Sequence, residues 1–228
     1  MHEFAAAALT FLAAHLVPAV PALRPTLVAA LGRGAYLAIY SVVSVALLAW
    51  LIVAARRADT VILWDPAPWQ WYAALALMPA AVFLLVVGVL TPNPLSISFR
   101  RAERPGAMAG ITRHPILWAF LLWALAHIPP NGDLVSLVLF GGMAAFSLTG
   151  FFSLDARSRR RLGRERWRDL ARDAPLVPLA SPGGRRAARA TAPQLVGAAI
   201  VALIAYVWFL LHAHRALIGV APLAYLGL

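Results

Sequence analysis

Six histidines, no cysteine and no lysine bound the chemistry open to this chain of 228 residues. Without thiols there are no disulfides, no iron–sulfur clusters and no thiolate catalysis. Imidazole is then the strongest metal donor present, and it suits iron, zinc and copper. Three histidines stand out by position: His15 in the first apolar run, and His114 and His127 at the two ends of GITRHPILWAFLLWALAH within the stretch Gly110 to Asp133. An ionisable residue in a segment apolar enough to cross a bilayer is costly and therefore marks a functional position. The plain alternative is a histidine that hydrogen-bonds a neighbouring helix, contributing about 0.6 kcal/mol. His2, His212 and His214 fall at expected interfaces and are assigned no role.

The elements that must carry these residues are hydrophobic. Apolar residues make up 62% of the chain and the mean hydropathy is +0.77, well above the roughly 45–50% of soluble domains. The expected fold is all-α, a polytopic integral membrane helix bundle of about six spans at 4–21, 35–55, 70–91, 113–129, 133–153 and 194–213. Each approaches the ~20 residues that cross the hydrocarbon. One domain covers 1–228, with a core at 4–153, a basic loop at 154–192 and the last span after it. The first run begins with His2 and Glu3 and lacks a basic leader region, so it reads as a mature helix rather than a signal peptide.

All 20 basic residues are arginine, and the net charge is +11. With the N-terminus outside, seventeen arginines fall in inside loops and three (Arg56, Arg57, Arg215) outside. The positive-inside rule then places both termini in the periplasm of a bacterial inner membrane. Orientation accounts for the charge, and no nucleic-acid partner is implied. Segment 155–173, DARSRRRLGRERWRDLARD, reads as a cytoplasmic amphipathic helix lying on anionic headgroups, with Trp167 at their level. A sharper reading has some of its arginines folding back onto anionic groups of a ligand. Ser181-Pro182-Gly183-Gly184 reads as a flexible linker.

Depth arithmetic sorts the histidines. His114 and His127 lie about 20 Å apart along one helix, too far to share a metal. His15 falls close to mid-depth of a ~30 Å core and His127, towards the outer end of its span, only a few ångströms shallower. If their helices touch, the pair can clasp a cofactor. Two imidazoles among apolar side chains favour haem b, which needs axial nitrogens and a greasy slot, here offered by Trp118, Phe120 and Trp123. Zinc would need further ligands, and the acidic residues fall in predicted loops.

HLVPAVPALR (His15 to Arg24), GITRHPILWAFLLWALAH, NGD (Asn131 to Asp133) and LFGGMAAFSLTG (Leu139 to Gly150) together resemble the NnrU-like membrane family over about residues 8–175. The resemblance implies a link to denitrification, in nitrite and nitric oxide reduction. It also implies kinship with plant zeta-carotene isomerase, a haem b enzyme that isomerises a cis double bond of a lipophilic polyene. By motif, His15 and His127 resemble that enzyme's haem ligands, with His114 a supporting residue. Arg24 and Arg113 are placed to hold propionates. Where the isomerase has a cysteine three residues before the second ligand, this chain has Ala124, so no sulfur ligand can exchange onto the iron. RHP followed by LGRERWRDLARDAPLVPL (Leu162 to Leu179) is also similar to isoprenylcysteine and phospholipid methyltransferases. That alternative would use S-adenosylmethionine near His114, Asp155, Arg157 and Glu165. A non-catalytic accessory protein, docking through the basic loop, is the third reading.

The orientation has a direct check. Alkaline phosphatase fused after Leu228 is expected to be active, and a fusion in the 174–180 stretch inactive. The reverse pattern would invert the assignment.

Overall fold

The structure, a computed structural model, describes residues 1–16, 23–100 and 103–226. Among them the chain is helical, with one isolated antiparallel bridge between Ile62 and Asp133 and no strand. The helices are α1 (His2–Leu16), α2 (Leu23–Leu31), α3 (Arg33–Arg57), α4 (Pro68–Leu90), α5 (Pro115–His127), α6 (Leu134–Leu162), α7 (Arg164–Ala171), α8 (Pro182–Ala190), α9 (Ala192–Trp208) and α10 (His214–Ile218).

Four helices are long and apolar enough to cross a membrane, against the six expected: α3, α4, α6 and the run Ala192–Ile218. The difference lies in α1 and α5, with 15 and 13 residues. Pro115 sits at the N-terminus of α5, and Pro129 and Pro130 follow its end, so α5 spans about 20 Å. The first span was expected to continue through residues 17–21, which lie outside the described residues.

The chain divides into two compact units, one of residues 1–62 with 133–135, the other of 63–132 with 136–228. In the first, α1 packs on α3, and Trp50 Nε1 donates to Glu3. In the second, α5 is the most enclosed element. Leu117, Leu121 and Ala124 meet Ala144 and Phe151 of α6, while Ala119 joins Leu84 and Val87 of α4. The α4–α5 approach is close because Gly88 faces Ile116, where a Cβ would come within 2.7 Å of the side chain. Most other apolar side chains point outward, including Val42, Leu203 and Trp208. That is the distribution a hydrocarbon solvent allows.

Two expectations for the arginine-rich region are corrected. α6 continues straight through it to Leu162, where Gly163 (φ +81°) turns the chain into α7. The apolar edge of α7 then faces protein instead of lipid headgroups: Leu162, Trp167 and Leu170 pack on Leu95, Ala109 and Ala174. Trp167 Nε1 donates to Ser158 Oγ at 2.9 Å. The supposed linker is the start of α8, capped by Ser181 Oγ, which accepts from Gly184 N. Its glycines serve close packing, since a Cβ on Gly184 would lie 2.5 Å from the carbonyl oxygen of Gly110.

Pro79 lies inside α4 and has no N–H to give the carbonyl of Leu75, one turn earlier. Tyr206 of α9 fills the gap, its hydroxyl donating to Leu75 O at 3.1 Å. In a bilayer such an orphaned carbonyl has no water to turn to. Tyr206→Phe is expected to destabilise the protein by about 1–3 kcal/mol in detergent unfolding. In a Pro79→Ala background that loss should shrink to a few tenths, since the helix again supplies the donor. An equal loss in both backgrounds would refute the coupling.

Candidate functional site

The polar centre of the second unit is built on the Arg113-His114-Pro115 corner. A 3-10 turn (Ala107–Gly110) delivers the chain to Thr112, and His114 precedes α5 with Pro115 in the helix's first turn. His114 is fully buried. Its Nε2 meets Asp155 Oδ1 at 2.9 Å and its Nδ1 meets Ser96 Oγ at 2.8 Å. A carboxylate only accepts, so Nε2 donates to Asp155, and Nδ1 shares the second hydrogen bond with the Ser96 hydroxyl, which can give or take a proton. Arg113 grips the same carboxylate with both arms, Nε to Oδ1 at 2.9 Å and a terminal nitrogen to Oδ2 at 2.5 Å. Its remaining arm reaches Ala174 O at 3.3 Å.

The backbone around this cluster is laced to segment 174–179. Arg113 N donates to Pro175 O, Thr112 Oγ1 and Trp118 Nε1 both donate to Leu176 O, and Leu179 N donates to Ile111 O. Asn93, also buried, donates from its amide to Arg113 O and accepts from Leu95 N. Chemically, the order Ser96–His114–Asp155 is a hydrogen-bonded relay. Its carboxylate is saturated by Arg113 and its ring is enclosed, so its role here is that of a clamp between α6 and the start of α5.

His15 and His127 are posed differently from His114 and alike to one another. His127 Nδ1 donates to Trp123 O at 2.7 Å, and His15 Nδ1 donates to Phe11 O at 2.8 Å. Each bond runs one turn back along the ring's own helix, and among the described residues neither Nε2 has a hydrogen-bond partner. Aromatic rings hold both imidazoles. Phe11 stacks on His15 at 4.1 Å between centroids, while Trp123 and Phe140 lie 5.4 and 5.0 Å from His127. Asn131 caps the helix beyond, donating to His127 O at 2.7 Å.

Of the residues expected from sequence, the structure brings Arg113 and His114 together in the second unit, which also holds His127; His15 and Arg24 belong to the first. Arg24 is exposed. Arg113 has its guanidinium committed to Asp155 and Ala174, which removes it as an idle cation for a propionate. Among the described residues no group of three or more His, Cys, Asp or Glu could hold a metal. Sequence reasoning left Ser96 and Asn93 out of the site and gave Asp155 only a cofactor-binding reading. The available signal was that Asp155 is the sole acidic residue of α6, a helix that otherwise only arginines interrupt with charge.

A family model described as NnrU protein matches residues 3–222. No curated protein and no solved structure matches the chain.

Removing either partner of the buried pair leaves the other uncompensated, at a cost of about 3–5 kcal/mol. Asp155→Ala and Arg113→Ala are each expected to lower stability by that order in detergent unfolding. The double variant should cost less than the sum, because the second change removes a charge already stranded. Additive losses would mean the contact does not couple them.

Proposed function

The chain belongs to the NnrU family, and on that premise we propose that it is a membrane protein that binds haem b through imidazole, with His15 and His127, each taken within its own unit, as the candidate iron ligands. The observation that carries this reading is the shared pose of the two rings. A neutral imidazole with Nδ1–H donated to a carbonyl and Nε2 bare is the form that binds iron, and the carbonyl fixes both tautomer and orientation. His114 does not fit that role, because both its nitrogens are engaged. Its part is to hold Asp155 and the mouth of α5 in register.

The chain's own residues do four things in this scheme. Phe11 beside His15, and Trp123 and Phe140 beside His127, restrict ring rotation and keep water from the donor nitrogens. Asn131, one turn beyond, caps the helix end by donating to the carbonyl of His127. Arg24 is exposed and, as a guanidinium, is suited to a propionate. Ala124 offers no competing sulfur donor at its position. Haem b, when bound, supplies a redox-active iron, suited to nitrite and nitric oxide reduction or, in the ferrous state, to isomerising a lipophilic polyene. With no thiol to exchange as ligand, the nitrogen-oxide role is the better match to these residues.

Absorbance spectra of the detergent-purified protein, oxidised and then dithionite-reduced, test the proposal after expression with ample haem. Sharp reduced α and β bands are expected. His15→Ala and His127→Ala should each abolish the low-spin spectrum, and His114→Ala should keep it while lowering thermal stability. A well-folded protein that stays colourless would overturn the reading.

A further inference from the structure

α6 has 29 residues and is about 44 Å long, so it outruns a ~30 Å hydrocarbon core by some nine residues. The excess is its arginine-bearing end. One exposed side of the helix carries Leu148 and Phe152 (49% and 73% exposed), then Ala156, then Arg159 and Arg160. Spacings of four, four, and three or four residues keep these on one face. The turn at Gly163 adds Arg164 of α7 to the same face. Ala156 and the three arginines line a shallow hollow of about 350 Å³.

The arginines of this hollow differ from their neighbours. Arg161 turns away to donate to the Pro94 carbonyl, and Arg172 pairs with Asp169. Arg159, Arg160 and Arg164 pair with no carboxylate among the described residues. Arg159 is held in place from one side, its guanidinium 4.3 Å from the Trp167 ring centroid. Trp167 is itself fixed by Ser158. A guanidinium stacked on an aromatic keeps its in-plane donors for an oxyanion.

We propose that this face binds one anionic phospholipid, its phosphate held by Arg159, Arg160 and Arg164 and an acyl chain lying along Phe152 and Leu148. The phosphate chemistry alone would also admit free phosphate. The apolar half of the face, continuous with the basic half at headgroup depth, selects the lipid.

The test uses the full chain in detergent, titrated with tetraoleoyl cardiolipin, dioleoyl phosphatidylcholine or inorganic phosphate, with bound lipid read by native mass spectrometry. Cardiolipin should bind, phosphatidylcholine should bind far more weakly, and phosphate should not displace cardiolipin. Attraction worth roughly fivefold per arginine predicts a roughly 100-fold weaker apparent affinity in R159Q/R160Q/R164Q. R160Q/R164Q, which keeps the Arg159–Trp167 stack, should lose roughly 30-fold. R157Q/R168Q/R186Q removes the same charge elsewhere and should change affinity little. Equal losses in the two triple variants would reduce the effect to general electrostatics and overturn the site. Displacement of cardiolipin by millimolar phosphate would assign the hollow to a free anion and overturn the lipid.

Discussion

A carboxylate enclosed within a bundle of apolar helices is tolerable only if something neutralises it, and the arrangement of the second unit follows from how Asp155 meets that demand. Arg113 and His114, adjacent in sequence, approach it from the start of α5 and take both its oxygens. Doing so fixes the rotation of α6 about its axis and the point at which α5 begins. It also fixes the course of segment 174–179, whose carbonyls collect the donors left over at Thr112, Arg113 and Trp118. Replacing such a pair with well-packed apolar residues can be neutral in energy, so its value is in geometry: few other registers of these helices bring three hydrogen bonds to one carboxylate.

Against that clamp the two outlying histidines look different in kind. His114 is consumed by structure, whereas His15 and His127 each keep a nitrogen in reserve. The division is made by local helix geometry alone: a ring whose Nδ1 reaches the carbonyl one turn back presents Nε2 away from its own backbone. His114 precedes its helix and lacks such a carbonyl, and so it turns to side chains.

The sequence made the helical class legible because hydrophobic runs near the length of a bilayer leave few alternatives. It made His15, His114 and His127 legible because polar residues in such runs are rare. What it concealed were relations of register. Nothing in SRRRLGRER says that α6 continues to Leu162, and arginine-rich stretches read as solvated helices even where, as with Trp167, the apolar edge turns inward. SPGG reads as a linker by composition, yet Gly184 is there to let a carbonyl approach. Asp155 read as a loop acid because its partners lie about 40 residues away. Hydropathy alone reads α5 as a run of 113–129, whereas Pro115 at its start and Pro129 and Pro130 beyond its end bound a helix of 13 residues.

The bond from Tyr206 to the carbonyl freed by Pro79 also imposes an order on biogenesis. α4 leaves the ribosome well before α9, and in that interval its Leu75 oxygen lacks the donor that Pro79 cannot supply. Arrival of the last long helix therefore acts as a latch, and a chain ending before residue 206 would leave that carbonyl without its donor.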